Sequence, residues 1–342
     1  MTIDTRDILE QLLDGVDLSE AEAEALMCSL AEDDMAPARA GALLAALRAK
    51  GETADEIRGF ARGMRKLAIK PQIPAGIEAA DCVGTGGDGS GSLNISTGSA
   101  LLAAACGVPM IKHGNRSISS KSGSADALEK LGVDIAGDAD SAISGLTNNN
   151  FSFLFAPGFH PAMKNIGPVR AAMGVRTLFN ILGPLSNPAE PPYHLIGAFS
   201  AEMAEIMAEV LAGLDIKRAF VVHGHVGDGQ PGWDEATPCG PFEFYDVTPG
   251  SVKHEVRDPQ DFGIDRCAPE QLAGGDADEN AAALKAVLAG EDKGPHADAL
   301  ALGAGLVLEV TGKASDLKDG IAQARAAIDS GAARDLLEKL AS

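Results

Sequence analysis

The sequence predicts an α/β protein in two parts, a small N-terminal helical domain and a larger domain with a central mixed β-sheet flanked by helices. Three observations predict it. The first 70 residues carry apolar side chains at helical spacing behind two capping boxes, Ser19-Glu20-Ala21-Glu22 and Thr53-Ala54-Asp55-Glu56. Pro71 and Pro74 then interrupt the pattern as a linker. From residue 78 onward, short apolar runs alternate with helical stretches, the layout of an α/β unit.

Taken in order, apolar residues recur at helical spacing in 8–13, 21–30, 38–47 and 57–67, giving four short helices. Their leucine- and alanine-rich faces are too small to stand alone, so they must pack on the rest of the chain or on another subunit. Strands are expected over 79–83, 110–112, 151–155, 195–198 and 218–223, with later ones around Phe242 and over 306–310. Helices are expected over 99–106, 124–131, 201–214, 277–289, 295–304 and 317–330. Between Pro157 and Pro192 prolines are frequent and periodicity is weak, which reads as a functional connection. The expected division is 1–70 for the helical domain, joined by helices from 165–190, and 75–342 for the α/β domain.

Composition narrows the function. Hydrophobic content of 45% and charged content of 23% are ordinary for a globular protein. The chain has no apolar run long enough to span a membrane, and its acidic start (Asp4, Asp7, Glu10) does not resemble a signal segment, so a cytoplasmic protein is expected. Five widely spread cysteines (Cys28, Cys82, Cys106, Cys239, Cys267), with no CxxC, argue against a disulfide framework or a structural zinc site. A net charge of −21 argues against nucleic-acid and anionic-membrane partners. Yet residues 89–125 hold no acid while keeping Lys112, Arg116 and Lys121. Residues 141–189 hold none either, while keeping Lys164, Arg170 and Arg176; at the average of 49 acids in 342 residues this stretch should hold about seven. An acidic protein that clears its carboxylates from two segments and keeps the cations is building an anion pocket.

Four motifs give that pocket its chemistry. The turn Gly84-Thr85-Gly86-Gly87-Asp88 follows an apolar run and precedes Asn94-Ile95-Ser96-Thr97, so a glycine nest meets a helix N-terminus, a phosphate cradle. It matches neither the Walker pattern nor the dinucleotide fingerprint. Lys112-His113-Gly114-Asn115-Arg116, continuing through Ser119 to Asp126, concentrates cations, hydroxyls and glycine suited to a phosphate or pyrophosphate. The segment from Phe155 to Lys164, then Arg170 and the run Phe179 to Pro188, suits a planar acid, with an apolar wall and Arg170 for its carboxylate. Asp234-Glu235, in a glycine-rich loop, can hold Mg²⁺ through oxygen. His223 and His225 read as structural or rim residues.

Together these motifs resemble the anthranilate phosphoribosyltransferase family over essentially the whole chain: GTGGD at 84–88, NIST at 94–97, KHGNR at 112–116, SSKSGSAD at 119–126, HPAMK at 160–164 and RTLFNILGPLSNP at 176–188. The resemblance implies transfer of the phosphoribosyl group of 5-phosphoribosyl 1-diphosphate (PRPP) to the amine of anthranilate, the second step of tryptophan biosynthesis from chorismate. It also implies an active site between the domains and a homodimer through the helical part. By motif, Gly84, Gly87, Asp88, Ser92, Asn94, Ile95, Ser96 and Thr97 hold PRPP. Lys112, His113, Gly114, Asn115, Arg116 and Ser117 extend that set, with Ile118, Ser119, Ser120 and Ser124. Gly84, Asn115 and Arg170 contact anthranilate, while His113, His160 and Pro184 line its route. Ser96, Asp234 and Glu235 handle Mg²⁺, two ions per subunit. No covalent nucleophile is implied, and no segment sets a serine or cysteine beside an obvious base.

The chain departs from the family pattern where Ala236-Thr237-Pro238 follows the acidic pair in place of Ile-Ser, and where Ser92 replaces threonine but keeps the hydroxyl. Two other readings fit the fold. A pyrimidine nucleoside phosphorylase is opposed by KHGNR and HPAMK. A non-catalytic nucleic-acid-binding relative is opposed by the net charge and the intact acidic pair.

Overall fold

A computed structural model describes residues 3–117, 121–227 and 230–342. Four helices open the chain: α1 (Thr5–Leu13), α2 (Glu20–Leu30), α3 (Pro37–Lys50) and α4 (Ala54–Leu67). Both capping boxes form, Ser19 with Glu22 and Thr53 with Glu56. The fully buried Glu56 carboxylate also accepts the Leu18 N–H and the Lys50 ammonium, each at 2.9 Å, so one acid fixes the entry to α2 against α4.

The α/β part continues with β1 (Ala80–Gly84), α5 (Ile95–Ala105), β2 (Met110–Gly114), α6 (Ser124–Lys130), α7 (Ala139–Asn149) and β3 (Phe151–Phe155). Three helices follow, α8 (Ala156–Phe159), α9 (Met163–Met173) and α10 (Phe179–Leu182), then β4 (Tyr193–Gly197), α11 (Ala201–Ala212) and β5 (Arg218–Gly224). The chain closes with β6 (Phe242–Thr248), β7 (Ser251–Arg257), α12 (Ala277–Leu288), α13 (Pro295–Val310), α14 (Leu317–Asp329) and α15 (Ala332–Leu340). The seven strands form one sheet in the order β3-β2-β1-β4-β5-β6-β7. The first five of these pair in parallel and β6 and β7 antiparallel, so the sheet is mixed. Among the described residues no helix is long and apolar enough to cross a membrane.

The four N-terminal helices do not build a core of their own. Leu26, Leu43 and Phe60 share an apolar cluster with Ile166 of α9 and Phe179 of α10, with Met207 of α11, and with Ile196 and Val221 of the sheet. The opposite face of the sheet packs under α5 and α12–α15 in a second cluster.

The expected strand over 306–310 is wrong: those residues are the last turns of α13, all buried. An all-apolar run is compatible with a buried strand or a buried helix, and here the helix starting at Pro295 simply continues. The edge strand β7 carries only polar or exposed residues over most of its length and shows no apolar run to find. The stretch between Pro157 and Pro192, read as a connection, holds α9, with Pro168 inside it.

One buried group gives a measurable pH effect. His194 on β4 is unexposed, and neither ring nitrogen has a hydrogen-bond partner among the described residues. Burial pushes its pKa from 6.5 down to about 3. The unfolded chain therefore binds a proton below pH 6.5 that the folded chain refuses, and stability is lost as pH falls through that window. His194→Phe removes this term. Urea unfolding is expected to show the variant gaining about 2 kcal/mol on wild type between pH 7 and pH 5; an unchanged difference would refute a neutral buried His194.

Candidate active site

The strand order reverses between β1 and β4, with β2 and β3 to one side and β5 to the other. The carboxyl ends of parallel strands at such a reversal form a crevice for ligands. β1, β2, β4 and β5 all end in glycine at this edge: Gly84, Gly114, Gly197 and Gly224. Gly84 and Gly197 face each other in register, and Asp234 lies directly on both. A Cβ on Gly84 would stand 2.3 Å from Asp234 Oδ2, and one on Gly197 would stand 1.6 Å from the Asp234 carbonyl oxygen. Only bare backbone admits the loop here.

The loop is held by the same groups that the sequence marks as a phosphate cradle. Gly86, at a φ of 70° that glycine adopts without steric cost, donates its N–H to Asp234 Oδ2 at 2.5 Å. Ser96, in the first turn of α5, donates its N–H to Glu235 Oε1 at 2.9 Å. Asp234 in turn donates its N–H to Asp88 Oδ2 at 3.2 Å. Three carboxylates thus gather on a glycine turn and a helix N-terminus. Burial, then the charges of Asp88 and Glu235, raise Asp234 well above the ordinary carboxylate range. Burial also lifts Glu235 to about 7, opposed by the Ser96 N–H and the charge of Lys112. Lys112 itself is 1% exposed on β2, and its ammonium donates to the Cys82 carbonyl of β1, behind the turn. Asp234 and Glu235, both raised, with the Ser96 hydroxyl beside them are hard-oxygen donors of the kind that suit Mg²⁺.

A second grouping lies at the end of β2. His113 sets Nδ1 3.2 Å from the Gly183 carbonyl and Nε2 3.2 Å from His160 Nε2. A carbonyl can only accept, so Nδ1 of His113 carries the proton. Burial pushes His113 down to about 3 and His160 to about 4, and both are neutral at neutral pH. Pro184 is buried next to Gly183. Arg170, on α9, lies over the Phe179 ring at 5.2 Å, has no ion-pair or side-chain hydrogen-bond partner among the described residues, and is lowered by burial. It is a half-buried guanidinium without an acid.

The remaining residues singled out by motif fall in several places. Asn94 commits its amide to Ser122 and Asn280, while the Ser92 hydroxyl accepts from Ser90 at 3.1 Å. Ile95 is buried in the core and offers the crevice only backbone, and the Thr97 hydroxyl is buried without a partner. Gly87 accepts at its carbonyl from Arg176, whose own carbonyl takes Arg48 of α3, so the turn is tied to the helical part. Ser124 donates its hydroxyl to the Asn115 carbonyl at 3.3 Å, and the Ser117 N–H goes to Asp126. Arg116 is paired within the chain. Its guanidinium is held by Asp126 and Glu129 of α6 at 2.8 and 2.9 Å, which leaves its charge neutralised by the helix the same motif opens. Ile118, Ser119 and Ser120 lie outside the described residues.

The fold matches known proteins along nearly the whole chain. The family described as "Glycosyl transferase family, a/b domain" matches residues 76–334, and "Glycosyl transferase family, helical bundle domain" matches 6–68. The anthranilate phosphoribosyltransferase of Desulforudis audaxviator is 45% identical over 98% of this chain and 95% of its own. The chain belongs to the anthranilate phosphoribosyltransferase family. The crystal structure of the family's Thermus thermophilus member superposes with a TM-score of 0.90 at 43% identity, covering 98% of both chains. The Saccharomyces cerevisiae member, in complex with PRPP and Mg, superposes with a TM-score of 0.88 at 28% identity over 98% of this chain and 96% of its own.

Two structural supports of this anthranilate phosphoribosyltransferase fold carried no motif. Gly197 is one, as argued above. Asp81 is the other: fully buried on β1, it accepts the Asn187 amide at 2.8 Å and the His113 N–H at 3.4 Å, joining β1, β2 and the 183–188 segment. Burial lifts it to about 6. An acid inside the apolar run 79–83 was the signal available for it.

Proposed function

We propose that this chain transfers the phosphoribosyl group of PRPP to the amine of anthranilate, releasing diphosphate, in a Mg²⁺-dependent reaction. The observation that carries this reading is the placement of Asp234 and Glu235 on the glycine turn and the α5 N-terminus, at the reversal of strand order. In this reading the turn amides and the first turn of α5 bind the pyrophosphate. Asp234, Glu235 and Ser96 hold the metal, two ions per subunit, which supplies positive charge to the leaving group when bound. Lys112 adds a fixed charge behind the turn. Arg170 takes the anthranilate carboxylate and so aims the ring, while Pro184 and the histidine pair wall its path. Because His113 and His160 stay neutral, they do not compete as cations for that carboxylate. The protein's work is positioning and water exclusion, with no covalent intermediate on the chain.

The reading includes a cytoplasmic homodimer. It is supported by Leu13 and Val16, 65% and 51% exposed at the end of α1; light scattering on an eluting column peak tests it.

The function is tested by following anthranilate fluorescence with PRPP and Mg²⁺. Metal-dependent loss of fluorescence, abolished by EDTA, is expected. A folded protein that leaves anthranilate untouched and instead cleaves nucleosides with inorganic phosphate would overturn the proposal. Within the same assay, Arg170→Ala is expected to raise the anthranilate KM by roughly 10- to 100-fold, the worth of a charge-assisted contact. The PRPP KM should move little; an unchanged anthranilate KM would remove Arg170 from the site.

A further inference from the structure

Cys239 and Cys267 are far apart in sequence and carry free, half-buried thiols whose sulfurs lie 3.7 Å apart. Their backbones run side by side, since the Cys267 N–H donates to the Pro238 carbonyl. The two segments lead to different parts of the site. Cys239 stands four residues beyond Glu235, on the loop that carries the acidic pair. Cys267 opens the segment that reaches Leu272 and Gly274. The Leu272 carbonyl accepts the Leu93 N–H at 3.0 Å, and the Gly274 N–H donates to the Gly91 carbonyl at 2.8 Å. Ala273 bridges Ser92. That segment therefore backs the stretch leading from the glycine turn into α5.

We propose that Cys239 and Cys267 form a reversible disulfide by exchange with a low-molecular-weight disulfide, and that this bond changes how the acidic loop is held against the phosphate turn. The Cys239 thiolate attacks a sulfur of the external disulfide, forming a mixed disulfide and releasing one thiol. Cys267 then gives up its proton to solvent and attacks the Cys239 sulfur, releasing the second. Overall, two protein thiols are oxidised to one disulfide and one external disulfide is reduced to two thiols. The balance is the same whichever of the two cysteines attacks first. The sulfurs must close from 3.7 Å to about 2 Å, so the bond displaces one side chain and the loop behind it. The link to the acidic loop rests on the reading of Asp234 and Glu235 as metal ligands; the covalent chemistry does not.

The experiment incubates the whole protein in oxidised and reduced glutathione mixtures, then alkylates, counts thiols and maps peptides. Two thiols are expected to disappear together, with a Cys239–Cys267 cross-linked peptide and full recovery in dithiothreitol. Closing a loop of 28 residues should also raise the unfolding temperature by several degrees. Cys239→Ser and Cys267→Ser should lack both effects. Oxidised protein that keeps all its thiols, or stops at a glutathione adduct on either cysteine, overturns the disulfide. For the loop, oxidation is expected to change the Mg²⁺ KM several-fold in wild type and not in Cys239→Ser. A formed disulfide with an unchanged Mg²⁺ KM overturns the coupling. Protein that cross-links but has no activity on anthranilate and PRPP, even when reduced, refutes the functional reading and leaves the disulfide standing.

Discussion

Replacing Asp234 by Asn together with Glu235 by Gln is expected to lower kcat/KM by roughly a hundredfold or more, at every Mg²⁺ concentration, while the protein becomes no less stable. The amides are near-isosteric, so the loop keeps its place between Gly84 and Gly197. What disappears is the charge. In the metal-free protein that charge is a burden: Asp234 is raised well above its usual range by burial and by Asp88 and Glu235, and Glu235 is lifted to about 7. Neutralising the pair relieves this repulsion, so the unfolding midpoint without metal should hold or rise. Activity and stability then move in opposite directions, the sign of a group retained for function. The measurement is initial rate against Mg²⁺ from micromolar to millimolar, with thermal unfolding alongside. Wild-type rates would remove the pair from the metal site. Lost rates with a lowered midpoint would make its role structural.

Gly197→Ala carries the second large effect, from the opposite direction, because it adds atoms. Its Cβ would lie 1.6 Å from the Asp234 carbonyl oxygen, a backbone atom that no rotamer change can withdraw. Either the 233–235 segment lifts off the strand ends or β4 shifts against β1. The β1–β4 pairing runs over five residues, whereas Trp233 is tied to the sheet by a single bridge to Gly224, so the loop is the part that yields. The expected result is a loss of at least about tenfold in kcat/KM, as for other small misplacements of reacting groups, with a stability cost of about 1–3 kcal/mol. Saturating Mg²⁺ should recover part of the rate, since a displaced carboxylate still binds metal weakly. Gly197→Ala with wild-type kinetics would mean that the acidic pair works from another position.

Much of the site was legible because its residues had to be chemically unusual where they stand. Three glycines in four positions after an apolar run, cations in acid-free segments, and paired acids in a glycine-rich loop each stand out from their surroundings. The strands that support them were legible as apolar runs, and β3 falls on its expected bounds, 151–155. What was not legible has common causes. The C-terminal half of α13 is uniformly buried, so it has no polar face to set its period. β7 is nearly all exposed and has no apolar face. Gly197 looks like any strand-ending glycine until the loop is laid across it. The ion pair of Arg116 with Glu129 was hidden because Glu129 lies beyond the motif, and only the helical turn of α6 brings it to the same side as Asp126.

The apolar cluster that joins α1–α4 to α9, α10, α11 and the sheet has a consequence for how such proteins can trade parts. The matched family regions meet between residues 68 and 76, and the chain there looks like a seam. The packing does not follow it. A recombinant that took its first 70 residues from one relative and the remainder from another would set two separately evolved surfaces against each other, with Phe60 facing a foreign Phe179 and α3 a foreign α9. Crossovers that succeed should instead carry α9, α10 and α11 along with the N-terminal helices. The heritable module is then discontinuous in sequence, two stretches of gene that must travel together.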